Sequence, residues 1–284
     1  MRSAYEKERS GWNRPVIDLH SVTDAVLDLD GGPLGIRVYR PDAGASLPAL
    51  VFLHGGGFVV GSLDSHDRIM RQLCRRSGAV VVGVDYPLAP ENPHPAALDR
   101  IEQALVAVAD GARVHGIDPG RLGIGGDSAG AHLALAAALR LRDRRPEAVK
   151  FMLLYYGLYG LEESEPRRRF ADPVYGLSPD ELQFYQASYL GSKPAPGGKA
   201  MDLLASDLAG LPPALVGAAA LDPLLDDSLA LSDALRNAGG HADLRVYDGV
   251  PHGFLHWSRL VPTAVQALED GARAVAASLF MPPS

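Results

Sequence analysis

The chain has a single cysteine in 284 residues, Cys74, which excludes an internal disulfide framework and a multi-cysteine metal site. Lying between Leu73 and Arg75 in an expected helix, Cys74 reads as a partly buried structural thiol. No stretch approaches the roughly 18 consecutive apolar residues of a membrane span. The amino-terminal MRSAYEKERSGWNRP is charged and lacks the apolar core of a signal peptide, so a cytoplasmic protein is expected. An excess of positive charge is missing too: 27 Lys and Arg stand against 34 Asp and Glu, a net −7, which disfavours nucleic acid as a partner. The densest basic run, Arg167-Arg168-Arg169, sits beside Glu162, Glu163 and Glu165 and reads as a solvated loop of mixed charge. The Gly-Lys-Ser/Thr of a phosphate-cradling loop does not occur.

What is present is an ordinary globular composition, 47% hydrophobic and 21% charged, long enough for one domain with a substantial core. Periodicity and chain breakers predict strands at 22–29, 34–40, 49–53, 79–84, 121–125, 149–156, 214–220 and 242–247. Helices are predicted at 67–76, 96–109, 129–142, 228–238 and 262–279. From residue 49 onward the strands are short, β-branched and apolar on both faces, as parallel strands buried between helices are. The alternation predicts an α/β fold with a mostly parallel eight-stranded sheet flanked by helices, as one domain over 1–284. The first two strands, joined at Gly31-Gly32, are expected to form an antiparallel edge hairpin.

The region between Tyr156 and Ala214 breaks this rhythm. In it Ser178-Pro179-Asp180-Glu181 is a capping box with proline at the first helical position, opening a helix over 179–190 that closes at Gly191. An insertion with its own helix, on the carboxyl side of the sheet, is a candidate lid.

Two glycine-rich stretches carry the chemistry. Gly126-Asp127-Ser128-Ala129-Gly130 follows the fifth strand and opens an alanine-rich helix. That is the strand–turn–helix context in which G-x-S-x-G makes a nucleophile elbow. A serine serving only as N-cap is the plainer alternative. Dinucleotide binding is disfavoured, because Ser128 stands where the third fingerprint glycine belongs. A serine hydroxyl needs a base within hydrogen-bond reach and a carboxylate to orient that base. Asp222 follows the seventh strand and His252 follows the eighth, in the chain order Ser, Asp, His that such an architecture requires. Asp226 and Asp227 are expected in the first turn of the next helix. His256, four residues after His252, raises a two-histidine metal site, but Gly253 follows His252 where a metalloprotease helix needs Glu. The other histidines, at 20, 66, 94, 115, 132 and 241, are expected to be surface or structural.

The second stretch is His54-Gly55-Gly56-Gly57-Phe58, directly after an apolar strand. Three glycines together lose much conformational freedom on folding, so they make either a tight turn or a bared main chain. An attacking serine downstream favours the bared main chain, with His54 bracing the loop.

Taken with Asp85-Tyr-Pro-Leu-Ala-Pro90-Glu91, Gly210-Leu-Pro-Pro-Ala214, Leu221-Asp-Pro-Leu and Pro251-His-Gly-Phe254, these motifs resemble the hormone-sensitive-lipase-like (bacterial family IV) carboxylesterases of the α/β-hydrolase superfamily. The resemblance implies Ser128, Asp222 and His252 as triad, Gly56, Gly57 and Ala129 as oxyanion-hole donors, and no cofactor or metal. It implies a cap made of about 1–20 plus an insertion at 160–209. The activity implied is hydrolysis of small to medium acyl esters, with a small-molecule ester as partner. An amidase or lactonase on the same triad is the alternative, and a non-catalytic receptor is disfavoured because all three triad residues are present. Phe58, Tyr159, Phe184, Tyr185 and Tyr189 are the candidate pocket walls. Ala131 stands where many members have a second glycine. His54 comes early in the chain, which predicts a reduced cap and a more open pocket. A homodimer is expected on general grounds.

Overall fold

The computed structural model describes residues 1–44, 46–110, 116–191 and 200–280. Its core is one sheet of eight strands: β1 (Ser21–Leu29), β2 (Gly32–Arg40), β3 (Leu47–Leu53), β4 (Val80–Val84), β5 (Ile117–Asp127), β6 (Phe151–Tyr155), β7 (Ala214–Leu221) and β8 (Ala242–Pro251). Their order across the sheet is β1-β2-β4-β3-β5-β6-β7-β8. β1 and β2 pair antiparallel at one edge, as their glycine turn predicts, and β2 meets β4 antiparallel; the other pairings are parallel.

Side chains alternate across a strand, and that alternation divides the core in two. Ala49, Val51 and Leu53 of β3 face one cluster, with Val80, Val82 and Val84 of β4; Leu50, Phe52 and Val81 face the other. The helices are α1 (Arg2–Trp12), α2 (Asp67–Ser77), α3 (Ala96–Ala109), α4 (Ala129–Arg144), α5 (Glu165–Arg169), α6 (Pro179–Leu190), α7 (Leu225–Asn237) and α8 (Pro262–Phe280). Ile101 and Leu105 of α3, Leu133 and Ala137 of α4, and Leu231 of α7 fill the first cluster. Ile69 and Leu73 of α2, and Leu268 and Val275 of α8, fill the second.

α5, a short 3-10 turn at Pro173–Tyr175, and α6 lie in the stretch between β6 and β7. The capping box forms as predicted: Ser178 Oγ accepts the Glu181 N–H, and the Glu181 carboxylate accepts the Ser178 N–H at 2.9 Å. Residues 192–199 of this insertion, and His115, lie outside the described residues.

Several expectations need correction. α1 was not anticipated, because it buries no residue and has no side-chain N-cap. Cys74 is wholly buried, its thiol directed at the Tyr39 carbonyl 3.3 Å away and pushed up to about 12 by burial. Arg167 is not a solvated loop residue: it sits in α5 and pairs with the buried Asp227 carboxylate at 2.8 Å. Arg168 and Arg169 do stay in solvent beside Glu163 and Glu165.

α4 crosses the end of β3 at main-chain contact. A Cβ on Gly130 would overlap the Leu53 carbonyl oxygen and lie 2.7 Å from that of His54; one on Gly126 would lie 2.5 Å from the Leu53 oxygen. These obstacles are main chain and have no rotamer to change. Gly130→Ala is therefore expected to destabilise the fold by about 1–3 kcal/mol or more, in the manner of an overpacked core. Urea unfolding measures this, and an unchanged midpoint would contradict the crossing.

Candidate active site

β5 ends at Asp127 and α4 begins at Ala129, leaving one residue for the whole reversal. Ser128 makes it with φ 54° and ψ −119°, a backbone that L-residues rarely adopt. Its N–H donates to the Tyr155 carbonyl at 2.9 Å, so the strained residue is tied to the neighbouring strand. Ser128 Oγ lies 2.8 Å from His252 Nε2, and His252 Nδ1 lies 2.8 Å from Asp222 Oδ2. A carboxylate only accepts, so Nδ1–H donates to Asp222 and Nε2 is left to accept the serine proton. Asp222 is fully buried and its other oxygen accepts the Leu224 N–H at 2.7 Å. His252 is fixed from a third side by its own N–H, which donates to the Tyr175 carbonyl of the insertion at 3.0 Å.

The glycine loop lies beside this relay. Gly56 and Gly57 have φ of 124° and 58°, where a side chain is strained. Among the described residues, the N–H groups of Gly56, Gly57 and Ala129 have no hydrogen-bond acceptor. Ala129 is the first residue of α4, so its N–H is one of the donors that a helix leaves open. The loop is held from behind. Asp127 Oδ1 and His66 Nε2 both accept the Gly55 N–H, at 3.0 and 3.2 Å, and Tyr156 O–H donates to Asp127 Oδ2 at 3.3 Å. His54 stacks on Tyr86 with centroids 4.3 Å apart, and Tyr86 O–H donates to the His54 carbonyl at 2.6 Å. Burial, with His66 nearby, pushes the His54 imidazole down to about 3. It is a neutral brace.

His66, Asp127 and His256 are the one metal-ligating group of three or more among the described residues, their donor atoms within 4.8 Å of one another. His66 Nδ1–H donates to Ser65 Oγ at 2.9 Å, so Nε2 is its remaining lone pair, and that lone pair takes the Gly55 N–H. A cation here would face the positive end of that N–H. The His256 ring packs across His66, with centroids 4.5 Å apart. Two of the three donor atoms, Asp127 Oδ1 and His66 Nε2, are committed to the Gly55 N–H and brace the loop.

Above the relay is a cavity of about 370 Å³. Ser128, His252, Gly56 and Gly57 line it, with Phe58 and Tyr185 among its walls. Tyr159, Phe184 and Tyr189 do not reach it. Tyr159 is buried in the core, Phe184 is 44% exposed, and Tyr189 is stacked beneath Phe58. The helical repeat explains the difference in α6: positions 182, 185, 186 and 189 share the inward stripe and 184 falls outside it. α1 adds Tyr5, Glu8 and Arg9 to the wall, residues that the sequence reading missed. Their spacing, with Trp12 one turn on, was the available signal.

Residues 50–256 match the α/β-hydrolase fold family. An acetyl esterase of Salmonella paratyphi B is 38% identical over 284 residues, covering 99% of this chain and 87% of that protein. Among solved structures, an esterase of the archaeon Pyrobaculum calidifontis is 37% identical with a TM-score of 0.92, covering 97% of this chain and 90% of that one. A thermophilic and thermostable carboxylesterase cloned from a metagenomic library is 34% identical with a TM-score of 0.94, covering 99% and 97%. The chain belongs to the α/β-hydrolase fold family, among its hormone-sensitive-lipase-like esterases.

Proposed function

We propose that the protein is a carboxylesterase that cleaves small to medium acyl esters through an acyl-enzyme on Ser128. One observation carries this reading: the unbroken Ser128–His252–Asp222 relay on the floor of a cavity, beside three main-chain N–H groups with no acceptor. In the first step Ser128 Oγ attacks the ester carbonyl while His252 Nε2 takes its proton. The Asp222 carboxylate keeps Nδ1 protonated and stabilises the imidazolium. Gly56, Gly57 and Ala129 N–H receive the oxyanion, and one such donor is typically worth ~2.7–4 kcal/mol of barrier. The tetrahedral intermediate collapses, the alkoxide leaves with the proton from His252, and the acyl group stays on Oγ. Water then repeats the sequence, giving up its proton to His252 and releasing the acid and free Ser128. General-base catalysis contributes about 10²–10⁴ in rate.

A cavity of about 370 Å³ is at the small end for small-molecule sites, which supports short acyl groups, as does likeness to acetyl esterases. In this proposal residues 1–20 and 160–209 form a cap over the site. Asp227 supports its base: the carboxylate accepts the N–H groups of Tyr159, Gly160 and Leu161 and pairs with Arg167. No helix among the described residues is long and apolar enough to cross a membrane. A cytoplasmic place of work and a homodimer complete the reading; the single buried thiol needs no oxidising compartment, and edge strand β8, with Val246 44% exposed, offers a second copy a surface to pair on.

Ser128→Ala is expected to abolish turnover across a panel of nitrophenyl esters of increasing acyl length, and wild-type activity to fall as the acyl chain outgrows the cavity. An organophosphonate should label the wild type on Ser128, located by peptide mass spectrometry; equal turnover by wild type and mutant would refute the proposal. Protonated His252 has no lone pair for the serine proton, so kcat/KM is expected to fall toward acid pH. A kcat/KM that does not fall toward acid pH would exclude this base.

A further inference from the structure

Helix α6 touches the glycine loop at two successive residues. A Cβ on Gly57 would sit inside the Tyr185 ring, 2.5 Å from its Cδ1, so the ring lies directly on the Gly57 main chain. One turn later Tyr189 stacks on Phe58, with ring centroids 4.0 Å apart and planes 18° from parallel. Tyr189 is the one buried residue of α6. It is held from its other side by His94, whose Nδ1 lies 3.0 Å from the Tyr189 hydroxyl and whose N–H donates to the Tyr189 carbonyl at 2.7 Å.

Phe58 has φ 65°, a conformation that a bulky aromatic residue adopts only where its surroundings over-determine it. Those surroundings are Tyr189 on its face, the edge of His132 at 5.4 Å, and the Ala89 N–H on its carbonyl at 2.9 Å. The peptide between Gly57 and Phe58 continues directly into the peptide that carries the Gly57 N–H. With the Phe58 carbonyl held by the Ala89 N–H, a relaxation of Phe58 toward negative φ has to be taken up on its amino side, in the peptides that flank Gly57.

We propose that α6 positions the oxyanion donors, through the Tyr189–Phe58 stack with Tyr185 pressed on Gly57, so that seating the insertion and setting the carbonyl-polarising loop are one event. The proposal rests on the acyl-transfer reading above. Tyr189 is a positioning residue: it acts through Phe58 and does not line the cavity.

The test is turnover of p-nitrophenyl acetate per reactive site, with sites counted by the nitrophenolate burst from a p-nitrophenyl methylphosphonate ester. Tyr189→Ala is expected to lower kcat per titrated site roughly 10–100-fold, a fraction to most of what losing one oxyanion donor costs, with KM within about threefold. Tyr189→Phe, which keeps the stack, should restore most of it. Affinity for trifluoroacetone, whose serine adduct carries an oxyanion, should weaken in step with kcat/KM. In a Phe58→Gly background, where glycine takes φ 65° without strain, Tyr189→Ala should cost no more than about threefold. If Tyr189→Ala does not fold, Tyr189→Leu serves in its place. Unchanged turnover per titrated site overturns the proposal alone, as does the same loss with Phe58 or Gly at 58. A wild type that gives no burst overturns the Ser128 reading, and this inference with it.

Discussion

The site depends on how closely the amino end of α4 approaches the main chain at the end of β3. Gly126 and Gly130 carry no side chains there, and the Leu53 carbonyl fills the space that their Cβ atoms would take. β3 and β5 are adjacent parallel strands in a register that sets Leu53 opposite Gly126. The chain leaving β3 is therefore the glycine loop, and the chain leaving β5 is Ser128. Two segments more than seventy residues apart in sequence emerge side by side because two strands stop level with one another. The positive φ of Ser128 is the local cost of turning from β5 into a helix in one residue, about 1–3 kcal/mol by general experience of such strain. The surrounding strands and α4, buried along most of its length, hold it in place.

Three buried aspartates show how one residue type is made tolerable in three ways. A buried carboxylate without partners is costly, so each must find donors. Asp222 takes the Leu224 N–H and the His252 ring; Asp127 takes the Gly55 N–H and the Tyr156 hydroxyl. Asp227 takes three successive N–H groups and Arg167, yet burial still raises its carboxyl above the ordinary range, with Arg167 opposing. Each joins a loop at the carboxyl edge of the sheet to an element of the core. Only the Asp222 pairing includes a group that also reaches the serine, and that separates it from its two structural counterparts.

The parts legible in the sequence were those whose signal is local. Valine-rich strands announce themselves over five residues, and Ser128, Asp222 and His252 each follow a strand directly. What escaped was decided by contacts between distant segments. Asp227 looked like a helix-dipole residue, which its position in the first turn of α7 satisfies, but its carboxylate points into the insertion. Tyr189 looked like a pocket wall, since an aromatic residue in a lid carries no mark of whether it faces the cavity or the loop beneath. α1 had the spacing of an amphipathic helix but too little apolar surface to be recognised: apart from Tyr5, it is tied down by polar contacts such as Arg2 donating to the carbonyls of Val59 and Ala89.

Those polar contacts bear on selectivity. The floor of the cavity is a serine, a histidine and main-chain N–H groups, a set that treats every ester carbonyl alike. Discrimination between esters therefore falls to the walls, which come from α1 and from the insertion between β6 and β7. Both elements also grip the loop that bares the N–H groups: Tyr5 of α1 and Tyr185 of α6 pack on the cluster of Val59, Val60 and Ala89 just behind it. The insertion holds the histidine as well, through the Tyr175 carbonyl on the His252 N–H. Under the proposed mechanism, selecting the acyl group and aligning the reacting groups thus fall to the same two elements. In the proposed mechanism, a change that widens the cavity by moving α6 also loosens the donors assigned to the carbonyl, which couples acyl range to turnover.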